Sequence, residues 1–291
     1  MPARHDLRAA LAGATTTLAD AGIDSARFDA EELAAHLAGV DRGRLTLIDA
    51  PDDDFFDRYR ELIAARSRRV PLQHLIGTAA FGPLTLHVGP GVFIPRPETE
   101  SLLEWVVKTV GQQPLPPNPL IVDLCTGTGA LAVSLARCWP GARVLAVDDS
   151  ASALSYARQN VAGTQVELVQ ADVTATDLLP ELDGRVDLIV ANPPYIPDGA
   201  VLDPEVAEHD PHHALFGGPD GMTVVNAVVD LAGRWLRPGG RVAVEHDDTT
   251  SAQTVALLAA GDLFHDIVPR RDLAGRLRFV TAVRVDDGKH R

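Results

Sequence analysis

Asn192-Pro193-Pro194-Tyr195 follows a short apolar run, Leu188 to Val190, that reads as a buried strand. Two prolines end ladder pairing there, because proline has no N–H to donate. The strand therefore delivers Asn192 to the carboxyl edge of a sheet, where open α/β sheets hold their ligands. The Asn192 carboxamide carries one acceptor oxygen and two donors. Pro193 and Pro194 offer only carbonyl acceptors, and Tyr195 adds a flat aromatic face. Such a site suits a planar –NH2 group gripped through its hydrogens. The plain alternative is a proline-rich turn after a core strand, with Asn192 capping it.

A second constellation is Asp123-Leu124-Cys125-Thr126-Gly127-Thr128-Gly129, which joins a strand to a helix. Glycines 127 and 129 let a ligand approach the backbone and are expected to leave N–H groups free at a helix N-terminus. Asp148 ends the next strand about 20 residues on, where a carboxylate takes two ribose hydroxyls. Gly127, Gly129 and Ala132 also satisfy the dinucleotide pattern G-x-G-x-x-A, so an NAD-dependent oxidoreductase stays open on this loop alone. Nicotinamide chemistry has no need of Asn192 to Tyr195.

Other chemistry-bearing residues carry less. Glu208-His209-Asp210-Pro211-His212-His213 has the composition of a metal site, but no regular element is expected to fix its geometry. It reads as a mobile loop facing the substrate, with no metal. Cys125 has no base placed to activate it. His246 follows Glu245 at a site edge and reads as structural.

The elements that must position these residues divide the chain in two. Residues 5–69 carry apolar side chains at helical spacing: Leu7, Leu11, Thr15 and Leu18, then Phe28, Leu33 and Leu37, then Phe55, Phe56, Tyr59, Leu62 and Ile63. Pro51 with Asp52, Asp53 and Asp54 marks the start of the third helix. Phe55 and Phe56 read as plain core. Gly82-Pro83 lies between two short strands, 78–81 and 84–88, as a hairpin turn. The expected domains are helical 1–76, a hairpin linker 77–95, and an α/β domain 96–291 whose helix from Glu98 runs to Val110. A proline-rich connection spans 111–119.

Strands at 120–124, 144–147, 166–169, 188–190 and 242–245 alternate with helices at 129–139, 152–161 and 223–236, the last stopped by Pro238-Gly239-Gly240. This is the mark of a parallel sheet. The tail adds a helix at 252–260 and a strand at 277–283.

Composition limits the function. The 291 residues are 46% hydrophobic, enough for sizeable cores, and carry a net charge of −14. Most of that acidity lies beyond residue 77, which disfavours duplex DNA or long RNA as the main partner. Two cysteines exclude a disulfide framework. Met-Pro-Ala-Arg-His-Asp opens the chain without an apolar export segment, and no run reaches membrane-spanning length, so the cytoplasm is the expected location.

Asn-Pro-Pro-Tyr resembles the signature of methyltransferases acting on amino groups conjugated to a π-system. Together with Ile94-Pro95-Arg96-Pro97-Glu98-Thr99-Glu100, Asp123 to Gly129, Ala214-Leu215-Phe216-Gly217-Gly218 and Asp220-Gly221, it resembles the bacterial protein-glutamine methyltransferases, and among them those acting on class 1 peptide release factors. The resemblance covers nearly the whole chain and is weakest in the first 70 residues.

It implies a Rossmann-like methyltransferase domain with a mostly parallel seven-stranded sheet, preceded by a helical substrate-recognition domain. It also implies S-adenosylmethionine as cofactor, with S-adenosylhomocysteine as product. Asp123, Cys125 and Thr126 to Gly129 (with Thr128) would wrap the methionine part. Asp148 with Asp149 would hold the ribose, and Asp172 with Val173 would lie near the adenine. Arg96, Pro97 and Thr99 would close over the cofactor, with Asn192 at its edge. Asn192, Pro193, Pro194 and Tyr195 would bind the target glutamine of a Gly-Gly-Gln loop. Asn192 Oδ1 and the Pro193 carbonyl would accept its two N–H groups. The family usually has glycine where this chain has Cys125, so ordinary φ is expected there.

Three rivals remain at this stage. A ribosomal-protein glutamine methyltransferase shares the same core. A DNA or RNA exocyclic-amine methyltransferase shares the acceptor logic, but the acidity and the lack of a target-recognition domain weigh against it. The NAD-dependent oxidoreductase rests on the glycine pattern alone, and a non-catalytic module is disfavoured by two intact sites.

Overall fold

The computed structural model describes residues 7–49, 51–112 and 115–286. Residues 1–6, Ala50, Gln113 and Pro114 of the proline-rich connection, and the final five residues lie outside the described residues, so the reading of the opening segment and part of 111–119 do as well.

The chain forms two compact units, one made of residues through Thr78 with Leu202–His209, the other of the remainder. The first is built from α1 (Leu7–Asp20), α2 (Ala26–Ala38), α3 (Asp53–Ser67) and α4 (Leu72–Ile76). Leu18, Leu33, Tyr59 and Ile63 pack at its centre. The acids after Pro51 act as the sequence implies: Asp52 caps α3 by accepting from Phe55 N at 2.9 Å. Phe56 is buried and Phe55 stacks against Tyr59, so both are core. The Tyr59 hydroxyl donates to Ala30 O at 2.9 Å.

The hairpin follows as β1 (Thr78–Phe81) and β2 (Leu84–His87). The second unit then runs α5 (Pro97–Gln112), β3 (Leu120–Leu124), α6 (Ala130–Cys138), β4 (Arg143–Asp148), α7 (Ala151–Asn160), β5 (Val166–Gln170) and β6 (Val186–Ala191). After β6 come α8 (Pro204–His209), which belongs to the helical unit, and α9 (His212–Leu215). The chain closes with α10 (Thr223–Trp235), β7 (Leu236–Glu245), α11 (Ser251–Ala259), β8 (Phe264–Arg271) and β9 (Leu277–Arg284).

The seven strands lie in the order β5-β4-β3-β6-β7-β9-β8. The five from β5 to β7 are parallel, and β9 pairs antiparallel with both β7 and β8. Buried on both faces, β3 and β6 are apolar apart from Asp123 and Asp187. Their side chains alternate between two cores. Ile121, Leu188 and Val190 pack with Leu102, Val106 and Leu131 of α5 and α6. Val122, Leu124, Ile189 and Ala191 pack with Val225, Val228 and Trp235 of α10. No helix of the described residues is long and apolar enough to cross a membrane.

Two readings of the sequence need correction. Pro238-Gly239-Gly240 does not stop α10, which ends three residues earlier at Trp235; it lies inside β7 as a bulge. Between the pairs Val186↔Leu236 and Leu188↔Arg241, β7 carries three residues more than β6, and proline and glycine suit such irregularity. The strand β8 was not foreseen, because Pro269 and the charged residues around it break a strand pattern. It is an edge strand, where proline is tolerated.

In the helical unit the buried Arg66 donates from Nε to Asp29 Oδ2 at 2.7 Å and from Nη1 to Glu205 Oε2 at 2.6 Å. Glu205 lies on α8, so one guanidinium ties two distant stretches of sequence. Arg66→Met would leave Asp29 buried without its counter-charge. We expect a loss of about 3–5 kcal/mol in chemical denaturation, and a smaller loss when Asp29→Asn is combined with it.

Candidate active site

The sheet order reverses between β3 and β6: β4 and β5 follow on one side of β3, and β7 lies on the other side of β6. A crevice opens at the carboxyl ends of strands at such a switch point. The loop 125–129 leaves β3 and Asn192 to Tyr195 leave β6, so both sequence constellations meet in one cavity. Its wall includes Thr99, Asp123, Cys125 to Thr128, Asp148, Asp149, Asp172, Val173 and Asn192 to Tyr195. Arg96, Pro97 and Gly129 are not on that wall. Gly129 caps α6 with φ 82°. Arg96 donates to the buried Asp210 carboxylate at 2.5 Å and lies over the Phe93 ring.

The glycine loop departs from expectation in two ways. Its N–H groups are largely spent inside the protein: Thr126 N donates to Val147 O at 3.0 Å, Gly127 N to Asp148 Oδ2 at 2.8 Å, and Gly129 N to Thr126 O at 2.9 Å. The loop is therefore a self-braced turn that aims side chains rather than a cradle of free N–H groups. Cys125 also does not take ordinary φ. It sits at 59°, in the left-handed region, despite its Cβ, a conformation that costs a non-glycine residue of order 1 kcal/mol or more. Cys125 is half-buried beside Asp148, Asp123, Asp149 and Asp172, and burial first, then these charges, push its thiol pKa well above the ordinary value. Cys125 is thus held protonated.

Asp123 is buried at the base of this loop. Its Oδ2 accepts from the Thr126 hydroxyl at 2.5 Å and from Ala132 N at 3.0 Å, while Oδ1 is buried with no protein partner among the described residues. Burial raises its pKa to about 7, against the lowering effect of those two bonds. Asp148 is likewise raised by burial, although Gly127 N and Ser150 N donate to it. Asp172 is held below the ordinary value by the Thr174 hydroxyl and N–H.

At the end of β6, Asn192 Nδ2 donates to Thr99 Oγ1 at 3.1 Å, and Thr99 Oγ1 donates to Glu245 Oε2 at 2.8 Å. The Tyr195 hydroxyl donates to the other oxygen, Glu245 Oε1, at 3.0 Å. Asn192 Oδ1 takes no protein donor among the described residues. Glu245 ends β7 beside β6, 1% exposed. Its pKa is raised to about 7 by burial, opposed by Thr99 and Tyr195.

Sequence reasoning missed Glu245. A lone acid ending a strand carries no spacing signal, and only the parallel pairing of β6 with β7 brings it to Asn192. Behind this segment, Gly217 N donates to Ile196 O and Ile196 N to Leu215 O, each at 2.9 Å. The Gly221 backbone approaches so closely that a Cβ there would stand 2.2 Å from Tyr195 O, at φ 76°.

The histidine segment is not a free loop. His212 opens α9 and stacks on Phe216 with centroids 4.2 Å apart, while His213 lines the cavity. No group of three or more His, Cys, Asp or Glu among the described residues is arranged to hold a metal ion. His246 is fully buried, its Nδ1 2.7 Å from Asp247 O.

The PrmC N-terminal domain family matches residues 9–77, and the methyltransferase small domain family matches residues 86–209. The chain is 67% identical over 282 residues to a release factor glutamine methyltransferase of Mycobacterium tuberculosis, covering 96% of this chain and 91% of that protein.

The chain belongs to the release factor glutamine methyltransferase family.

As a member of that family it is a methyltransferase, and its helical unit, hairpin and seven-stranded sheet are those the resemblance implied. It is also 42% identical, over 87% of each chain, to a 4-amino-L-phenylalanine/4-methylamino-L-phenylalanine methyltransferase of Streptomyces pristinaespiralis. The fold alone is shared with the hMettl16 catalytic domain solved with a 3′UTR hairpin, at TM-score 0.53 and 15% identity, covering 78% of this chain and 83% of that one.

Two outcomes follow from the packing and the buried acids. Gly221→Ala forces Tyr195 off its position, and we expect loss of most methyl transfer with destabilisation of a few kcal/mol. Asp123 and Glu245 bind protons more tightly when folded, so their contribution to stability is greatest below their ordinary values of 3.8 and 4.5 and is lost as pH rises to about 7. The melting temperature should fall across that window, and Glu245→Gln should flatten part of the slope.

Proposed function

We propose that this chain transfers a methyl group from S-adenosylmethionine to the side-chain amide nitrogen of the glutamine in the Gly-Gly-Gln loop of class 1 peptide release factors. The observation that carries the reading is the fixed Asn192 carboxamide. Its nitrogen is committed to Thr99, which turns its oxygen to the incoming group as an acceptor.

The cavity suits a cofactor with positive charge. Asp123, Asp148, Asp149 and Asp172 line it, and among the lining residues only His213 can carry a positive charge. Such a wall repels the pyrophosphate of NAD and favours an ammonium and a sulfonium. The unpartnered buried Asp123 Oδ1 is placed to accept from an ammonium, and Asp148, on the adjacent strand, to accept from ribose hydroxyls. Cys125, Thr126 and Thr128 would enclose the methionine part, with Asp149, Asp172 and Val173 around the nucleoside. Arg96 and Pro97 would act from outside the wall by fixing the start of α5, which carries Thr99.

S-Adenosylmethionine, when bound, supplies an electrophilic methyl group on sulfur. A glutamine amide nitrogen is a weak nucleophile because its lone pair is delocalised into the carbonyl. Asn192 Oδ1 and the Pro193 carbonyl accept its two N–H groups and so aim the nitrogen lone pair at the cavity. As positive charge develops on nitrogen, the same two acceptor dipoles stabilise it. The surplus proton leaves the nitrogen for water. The Tyr195 ring, tethered through its hydroxyl to Glu245, packs on the amide plane and favours a cationic methyl through its face.

Residues 1–76 are assigned to substrate recognition, residues 77–95 to a linker and residues 96–291 to catalysis, with the cytoplasm as the place of action. The acceptor pair also suits an aromatic amine, the substrate class named for the Streptomyces relative.

Labelled S-adenosylmethionine should be supplied with a class 1 release factor, the same factor with its Gly-Gly-Gln glutamine replaced, the ribosomal protein, 4-amino-L-phenylalanine and duplex DNA. Label confined to the intact release factor is the expected result; label on another acceptor would overturn the substrate assignment. Asn192→Ala should fold with an unchanged melting temperature and lose about 10²–10³-fold in kcat.

A further inference from the structure

Glu245 is a buried acid that the reaction does not contact, yet one of its oxygens holds Tyr195 and the other holds Thr99, the partner of Asn192. Oε2 accepts from Thr99 at 2.8 Å and Oε1 from Tyr195 at 3.0 Å. An ionised carboxylate can only accept. Thr99 must then donate to it, which leaves the Thr99 oxygen as an acceptor toward Asn192. Asn192 must answer with its –NH2, at 3.1 Å, and its carbonyl oxygen is left facing the cavity.

We propose that Glu245 is a positioning residue whose negative charge sets the direction of the Glu245–Thr99–Asn192 hydrogen-bond chain, and through it presents the Asn192 oxygen rather than its –NH2 to the methyl-accepting amide. The inference rests on the reading of Asn192 given under the proposed function.

Protonation reverses the logic. A neutral Glu245 can donate to Thr99, whose hydroxyl then donates to the Asn192 oxygen and turns the Asn192 –NH2 into the cavity. Two –NH2 groups then face each other, and the target amide loses an acceptor. The surroundings of Glu245 keep this switch within reach. Burial pushes its pKa up to about 7, and Glu98 at the start of α5 pushes the same way, while Arg278 on β9 draws it down. Arg278 also lies beside Tyr195 and pairs with Asp272 at 3.5 Å. Next in the chain, His246 lies on Asp247 O, and Asp247 is held below the ordinary value chiefly by Thr249, against its own burial. A glutamine in place of Glu245 has one acceptor oxygen and one donor group, so it cannot offer a separate acceptor oxygen to each of Thr99 and Tyr195.

The test compares wild type with Glu245→Gln, Thr99→Val and Thr99→Ser in the full-length chain. Rates on the release factor are taken from pH 6 to 9, with S-adenosylhomocysteine affinity and melting temperature as controls for folding. Side-chain amide signals of Asn192 are followed by NMR in nitrogen-15 asparagine-labelled protein, a readout independent of turnover.

We expect Glu245→Gln to bind S-adenosylhomocysteine normally but lose roughly 10²-fold in kcat, and to lack the acidic limb expected of wild type near pH 7. Thr99→Val should lose as much, the double variant no more than either single one, and Thr99→Ser should recover much of the loss. In wild type the Asn192 signals should titrate with the same midpoint, and in Glu245→Gln they should not. Wild-type rates from Glu245→Gln across the range, multiplying losses in the double variant, or Asn192 signals indifferent to pH in wild type would overturn the inference. Wild type that titrates as expected but leaves the release factor unmethylated would instead overturn the substrate assignment.

Discussion

The site depends on β3 and β6 lying side by side while the chain leaves them in opposite directions across the sheet. That single topological fact places the acidic glycine loop and Asn192 to Tyr195 on facing walls of one crevice. The two cores are built to hold it. Ile121 and Val122, neighbours in sequence, lock β3 to helices on opposite faces, and Leu188 and Ile189 do the same for β6. A register slip of one residue in either strand would exchange the two cores and turn Asp123 and Asn192 away from the crevice.

Within the crevice, side chains are aimed by buried polar contacts. Gly127 N is spent on Asp148, the Thr126 hydroxyl on Asp123, and the Thr99 and Tyr195 hydroxyls on Glu245. The buried acids differ in how fully the protein satisfies them. Among the described residues Asp123 keeps one buried oxygen without a protein partner, and Glu245 keeps none. That difference separates a group available to a ligand from a group that orients its neighbours.

Much of this was legible in the sequence. Apolar runs at β3, β4 and β6 revealed a buried parallel sheet, and Asp52 after Pro51 revealed the start of α3, because each signal is local. The less legible parts depend on contacts distant in the chain. Glu245 acquires meaning only through its pairing beside β6, and α8 joins the helical unit through Glu205 and Arg66, 139 residues apart. Pro238 and Gly239 read as a helix stop because their role, a bulge against Val186, is set by the partner strand. Cys125 shows the opposite failure. Its side chain implied ordinary φ, but the bracing of Thr126 and Gly127 against the end of β4 holds it at 59°.

The proposed methyl transfer turns on the target amide being held by two acceptors. The most direct measurement is a structure of this chain with S-adenosylhomocysteine and a peptide containing the Gly-Gly-Gln loop. The account predicts the glutamine amide nitrogen within about 3.2 Å of both Asn192 Oδ1 and Pro193 O, with Thr99 still between Asn192 and Glu245. A glutamine nitrogen seated away from Asn192, or an Asn192 turned off Thr99, would contradict it.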